Sequence, residues 1–153
     1  VYRIPDRQFV LGASLRNLGM MIDGFGDTRE DLPLDLQVGA SKRLAHLPLF
    51  LTVTGYDLTN LSDGIRGGGT FDHVLGHFVF GAEVQPGDVL RFRVGYNHRR
   101  SKELVLTDRF DAAGIGVGFG VTVSRLTVDY AYNSWSDLGG LHQFTLRADL
   151  AGE

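Results

Sequence analysis

The chain has 153 residues, 43% of them hydrophobic, with 21 glycines, 4 prolines and no cysteine. That length is one domain, 1–153, and the missing cysteine excludes disulfides and thiolate metal sites. A formal net charge of −3 gives no basic footprint for nucleic acid, and no run reaches the roughly 18 apolar residues of a membrane helix.

What the sequence does carry is a two-residue alternation that recurs along its length, the period of a β-strand with one apolar face. Val1-Tyr2-Arg3-Ile4 before Pro5-Asp6 reads as the end of an earlier strand and a short turn. Gln8–Leu15 sets Phe9, Leu11, Ala13 and Leu15 on one face, and a long loop with a polar centre at Asp23–Asp31 follows. Leu34–Leu44 alternates Leu34, Leu36, Val38 and Ala40 with Asp35, Gln37, Gly39 and Ser41. A tight turn at Ala45–Leu47 leads to Pro48–Leu58, where Phe50 and Tyr56 share a face with Thr52 and Thr54. Thr59–Asp72, with Gly67-Gly68-Gly69, reads as a loop.

His73–Val84 predicts a strand with Val74, Phe78, Phe80 and Ala82 on one side and His73, His77 and Glu83 on the other. Gln85-Pro86-Gly87-Asp88 is a turn. Val89–Arg99 alternates Leu90, Phe92, Val94 and Tyr96 with Arg91, Arg93, Gly95 and Asn97. After the loop Arg100–Ala112, the strand Ala113–Val123 places Ile115, Val117, Phe119 and Val121 opposite Gly114, Gly116, Gly118 and Gly120. A tight turn at Ser124-Arg125 leads to Leu126–Trp135, and Gln143–Leu150 closes the series.

The loops alternate long and short, the arrangement of an outer-membrane barrel with tight periplasmic turns and longer outer loops. An apolar-in barrel of the lipocalin kind alternates too. Charge on neighbouring strands favours the apolar face outward. A hairpin centred on Leu138 sets Asp129 opposite Arg147, the Ser124-Arg125 turn sets Gly120 beside Asp129, and the Pro86-Gly87 turn brings Glu83 to Arg91, directly or diagonally. Glu83, Arg91, Arg93, Asp129 and Arg147 are therefore the expected lumen-lining residues. The same hairpin sets Tyr132 against Phe144 and Tyr130 against Leu146, which with Trp135 fit an interfacial aromatic girdle.

Chemical motifs are few. The glycines at 114, 116, 118 and 120 fall at every second position with no G-x-G-x-x-G and no following helix, so they mark a bare strand face with room for a plug, a ligand or close backbone packing. His73 and His77 would stand roughly 13 Å apart on a strand, too far to share an ion, and read as lumen histidines. Asn97-His98-Arg99-Arg100 is basic enough for lipopolysaccharide phosphate or an acidic partner, although a solvated strand end is the plainer meaning. The serines and five histidines form no catalytic constellation, and Asn60-Leu61-Ser62 is no glycosylation signal in a bacterial protein. No enzyme, cofactor or metal site is expected.

Several short runs carry a family resemblance: Asn17-Leu18-Gly19, Leu32-Pro33, Gly39-Ala40-Ser41-Lys42, Leu47-Pro48, Asp57-Leu58, His77 to Glu83, Gly95 to Arg100 with Glu103-Leu104, Asp129 to Tyr132, Leu138-Gly139-Gly140 and His142. Together they resemble the PorQ-type barrels of the type IX secretion system, a PorV/PorQ, FadL-like family. The resemblance implies a 14-stranded transmembrane barrel, of which about eight antiparallel strands here form the C-terminal part. It implies a bacterial outer-membrane location, contact with lipid and lipopolysaccharide, and a non-enzymatic role. That role is anchoring a surface partner such as PorZ, with other type IX components, while secreted proteins are attached to lipopolysaccharide. Val1 is not an initiator Met, which fits a fragment, and Ala151-Gly152-Glu153 lacks the terminal aromatic usual in such barrels.

The outer loops Gly19–Asp31, Thr59–Asp72, Arg99–Phe110 and Ser134–Gly140 are then the docking surface, with Asp23, Arg29, Asp63, Arg66, Arg99, Arg100, Lys102 and Asp137 as its charged contacts. Two further readings stand beside this one. A FadL-like conduit would pass hydrophobic molecules along the bare glycine wall. A self-closed eight-stranded barrel would pair Gln8–Leu15 with Gln143–Leu150.

Overall fold

The computed structural model describes residues 1–5, 8–19, 33–61, 65, 67–104, 112–136 and 139–149. Its strands are β1 (Tyr2–Ile4), β2 (Phe9–Arg16), β3 (Asp35–Arg43), β4 (Leu49–Gly55), β5 (Phe78–Val84), β6 (Leu90–Asn97), β7 (Ile115–Val123), β8 (Leu126–Ser136) and β9 (Gly139–Ala148). Two short helices, α1 (Thr70–Gly76) and α2 (His98–Glu103), sit in the β4–β5 and β6–β7 connections. The strands form one antiparallel sheet in sequence order, β1 through β9, every neighbour joined to the next.

The sheet is open. β1 and β9 are its two edges, and no ladder joins them among the described residues. This corrects two expectations. The strand number is nine, because Tyr2–Ile4 pairs with β2 in its own right. The self-closed eight-stranded version is also displaced, since β2 spends its two sides on β1 and β3 and never meets β9.

Alternation becomes two faces once the registers are known, because residues paired across an antiparallel ladder point the same way. One row runs Leu49, Val84, Phe92, Phe119, Tyr130 and Phe144 across six strands. The next runs Leu51, Ala82, Val94, Val117, Tyr132 and His142. Almost nothing covers this face: Phe144 is 77% exposed and Leu146 71%, and the buried hydrophobics of the described residues are Ile65 and Ala113 alone. Lys42, between Phe9 and Leu51, is the cation on it, and it lies beside the short β3–β4 turn.

One predicted strand starts well later than expected, another ends earlier and a third starts earlier. His73–Val84 is strand only from Phe78, because Thr70–Gly76 is helical with Gly69 as its N-cap. The loop expected from Arg100 begins instead with α2, whose first turn is capped by the Asn97 side chain accepting from the Arg100 N–H at 3.0 Å. The last strand begins at Gly139 rather than Gln143, and β8 runs to Ser136 with a register irregularity between Ser134 and Ser136. That hairpin therefore pairs two residues tighter than a centre at Leu138 requires. Asp129 faces Thr145, Arg147 faces Thr127, Tyr132 faces His142 and Tyr130 faces Phe144. The neighbouring hairpin has the expected register, Gly120 opposite Asp129. Its two-residue turn is set by Ser124, whose φ of 54° is the left-handed value such hairpins need.

Candidate functional site: the polar concave face

The face opposite the apolar rows carries Thr52, Glu83, Arg93, Asp129, Gln143 and Arg147, and these residues line a concavity of about 850 Å³. The curl of the sheet thus brings the charged residues of β5, β6, β8 and β9 to one side. Arg91 lies on the same face as Arg93, two residues along β6.

Arg93 is the hub. Its Nε donates to Glu83 Oε2 at 2.6 Å on β5, its direct ladder partner, and its Nη1 donates to Asp129 Oδ1 at 2.7 Å on β8. The second bond spans an intervening strand. It is possible because β7 offers glycine beneath it: a Cβ on Gly120 would collide with the Asp129 carboxylate, and one on Gly116 with the Asn133 amide. The glycine strand is therefore a trough roofed by Asp129 and Asn133, and part of the room read from its bare face is filled by these side chains. The predicted Glu83–Arg91 and Asp129–Arg147 pairs are replaced by this two-sided bridge. Arg91 instead donates to Thr122 Oγ1 at 2.6 Å.

The candidate docking charges fare unequally. Asp23, Arg29, Asp63, Arg66 and Asp137 lie outside the described residues. Arg99, Arg100 and Lys102 are on α2. Arg99 pairs with Glu103 at 3.0 Å and stands 4.0 Å from Asp57, and Lys102 stands 3.5 Å from Asp72, so much of the basic run is neutralised internally. Arg100 lies over the Trp135 ring, 5.4 Å from its centroid. Trp135 thus backs an arginine at the mouth of the concavity, a role that counting it in a girdle had missed. The aromatic cluster on the apolar face is Phe119, Tyr130, Tyr132, His142 and Phe144, with Tyr130 and Phe144 centroids 4.9 Å apart.

A second polar cluster ties the helices to the sheet end. His98 Nε2 is 2.9 Å from Asp72 Oδ1 and its Nδ1 is 3.1 Å from the Tyr96 hydroxyl. His77 is 1% exposed, its Nδ1 3.2 Å from the Tyr56 carbonyl, and His73 Nε2 is 2.8 Å from the Gly68 carbonyl. His73 and His77 are therefore a helix residue and its C-cap, each held by a backbone carbonyl, and not strand residues of the concave face. Among the described residues no group of three or more His, Cys, Asp or Glu side chains is placed to hold a metal ion. Asp72 and the Thr122–Thr127 pair were not singled out in the sequence. Asn97, read in the sequence as part of a basic strand end, is the N-cap of α2.

Asp72 is held below the usual carboxylate range, chiefly by its hydrogen bond to His98, with Lys102 and the Gly69 backbone adding to it against desolvation. A carboxyl lowered on folding stabilises the fold above its unfolded value, and that stabilisation is lost as pH falls through the folded value. Amide protection in α1, measured against the unstructured exchange rate at each pH, should therefore fall on acidification below the usual carboxylate range, and Asp72→Asn should remove that pH dependence.

Compared with family models, curated proteins and solved structures, the chain matches none of them. Its functional reading rests on its own geometry and on the motif resemblance. No helix among the described residues is long and apolar enough to cross a membrane, which says nothing of a β-barrel.

Proposed function

We propose that this chain forms part of the wall of a bacterial outer-membrane β-barrel, apolar face to lipid and charged face to a wet lumen. The observation that carries this is the uncovered apolar face, continuous across six strands, with the ionic network on the opposite, concave side. A soluble monomer rarely leaves a contiguous apolar patch above roughly a few hundred Å², whereas lipid requires one. Lipid also admits sheets only when every backbone group is paired, so the open edges of β1 and β9 would be closed by further strands. Lys42 fits a side chain that reaches the headgroups from beside a short turn.

Within that wall, the role is a non-enzymatic anchor for a cell-surface partner in type IX secretion, a reading that rests on the motif resemblance. The hydrophobic-conduit alternative loses support, because its glycine wall is roofed by Asp129 and Asn133 and bordered by arginine. Charge reversal at Asp23, Arg29, Asp63, Arg66 and Asp137 together is expected to cut recovery of the surface partner at least several-fold in a mild-detergent pull-down. Heat-modifiable mobility of the barrel should be unchanged. Undiminished recovery from an intact barrel would remove the anchor role and leave the wall.

A further inference from the structure

Both carboxylates of the central network are used by Arg93, and Arg91 and Arg147, on the same face, make no ion pair with a carboxylate of the described residues. Their surroundings are specific. Arg91 reaches toward the short-turn end, where its Nη2 donates to Thr122 Oγ1 at 2.6 Å. Thr122 lies directly opposite Thr127, hydroxyl to hydroxyl at 3.1 Å, and Thr127 lies directly opposite Arg147. The order across the sheet is thus arginine, threonine, threonine, arginine. Arg91 Nε is buried with no hydrogen-bond partner, and a charged N–H left in that state is costly unless something accepts from it.

We infer that Arg91, Thr122, Thr127 and Arg147 form a cradle for a dissolved oxoanion, a phosphate- or carboxylate-bearing solute, at the short-turn end of the concave face. Guanidinium groups bind such oxygens through paired N–H donors, and of the two hydroxyls between them the one that accepts in the Thr122–Thr127 bond keeps its proton as a further donor. The acidic residues near this end are Glu83 and Asp129, both engaged by Arg93, and Asp88 and Asp149, which lie beyond the strands and make no ion pair with Arg91 or Arg147. The chain is acidic as a whole, so this local excess of arginine belongs to the site and not to the net charge. The inference depends on the membrane-wall reading only for the side from which the anion arrives.

The test titrates the full chain in non-ionic detergent with inorganic phosphate, following the Arg91 Nε–H resonance and the Thr122 and Thr127 amides. Saturable shifts confined to these signals are expected. Arg91→Gln and Arg147→Gln should each weaken binding about tenfold, with Arg91→Lys intermediate and Arg43→Gln unchanged. Absence of a saturable shift in the wild-type chain would overturn the cradle, as would an equal loss with Arg43→Gln. A parallel titration with phosphatidylglycerol micelles separates the sources: shifts produced by the lipid headgroup but not by free phosphate would overturn the dissolved-solute assignment. Phosphate binding by a chain that fails to enter vesicles would leave the cradle intact and remove the membrane wall instead.

Discussion

Val94→Arg is expected to destabilise the protein in phospholipid vesicles by about 2–4 kcal/mol, the cost of an arginine facing the bilayer midplane on a barrel strand. Val94 is near the middle of β6, 50% exposed, and paired in register with Ala82 and Val117 on the uncovered face. Neither of these direct neighbours has a polar group to take up the charge. The control is Thr145→Lys, which puts a cation on the opposite face beside Asp129, its ladder partner, and should be close to neutral. Urea unfolding of both variants in vesicles reads the difference. Equal behaviour of the two would mean that the apolar face does not meet lipid, and the wall reading would fall with it.

Gly118→Val is the second large effect, with an expected loss of about 1–3 kcal/mol from overpacking. A Cβ at this position would stand 2.9 Å from the backbone carbonyl of Tyr130, so β7 and β8 would have to separate. The same separation would pull Asp129 away from Arg93. Other glycines of this face behave differently. At Gly95 the nearest atom to an added Cβ is the Phe80 carbonyl at 3.7 Å, and at Gly81 nothing comes nearer than 3.9 Å. Gly95→Ala and Gly81→Ala should therefore be neutral or stabilising by up to about 1 kcal/mol, since strand glycine carries an entropic cost. Equilibrium unfolding of the three variants gives the ranking. An equally tolerated Gly118→Val would show that the glycine trough is not set by close approach of β8.

The alternation of Leu90 to Tyr96 and of Ile115 to Val121 is enough to place the strands and their two faces, because a strand sorts apolar from polar residues by that period alone. The Ser124-Arg125 turn also fixed its register, since a two-residue hairpin leaves little freedom. The last hairpin did not have that signal. Gly139 and Gly140 carry no side chain to alternate, so the start of β9 was invisible and every pairing moved by two residues. Helices α1 and α2 were hidden for a related reason: each is at most two turns long, too short for a 3.6-residue period to stand out.

Alternation is symmetric between inside and outside, so the sequence determined that one face is apolar and the other charged, while only the curl of the sheet decided that the charged face is concave. Side-chain reach was equally illegible. That Arg93 bridges β5 and β8 over a glycine strand, and that Arg91 leaves the carboxylates for Thr122, depends on three-dimensional neighbours one and two strands away. Local period sets which way a residue points; what it meets there is set by the strands packed beside it.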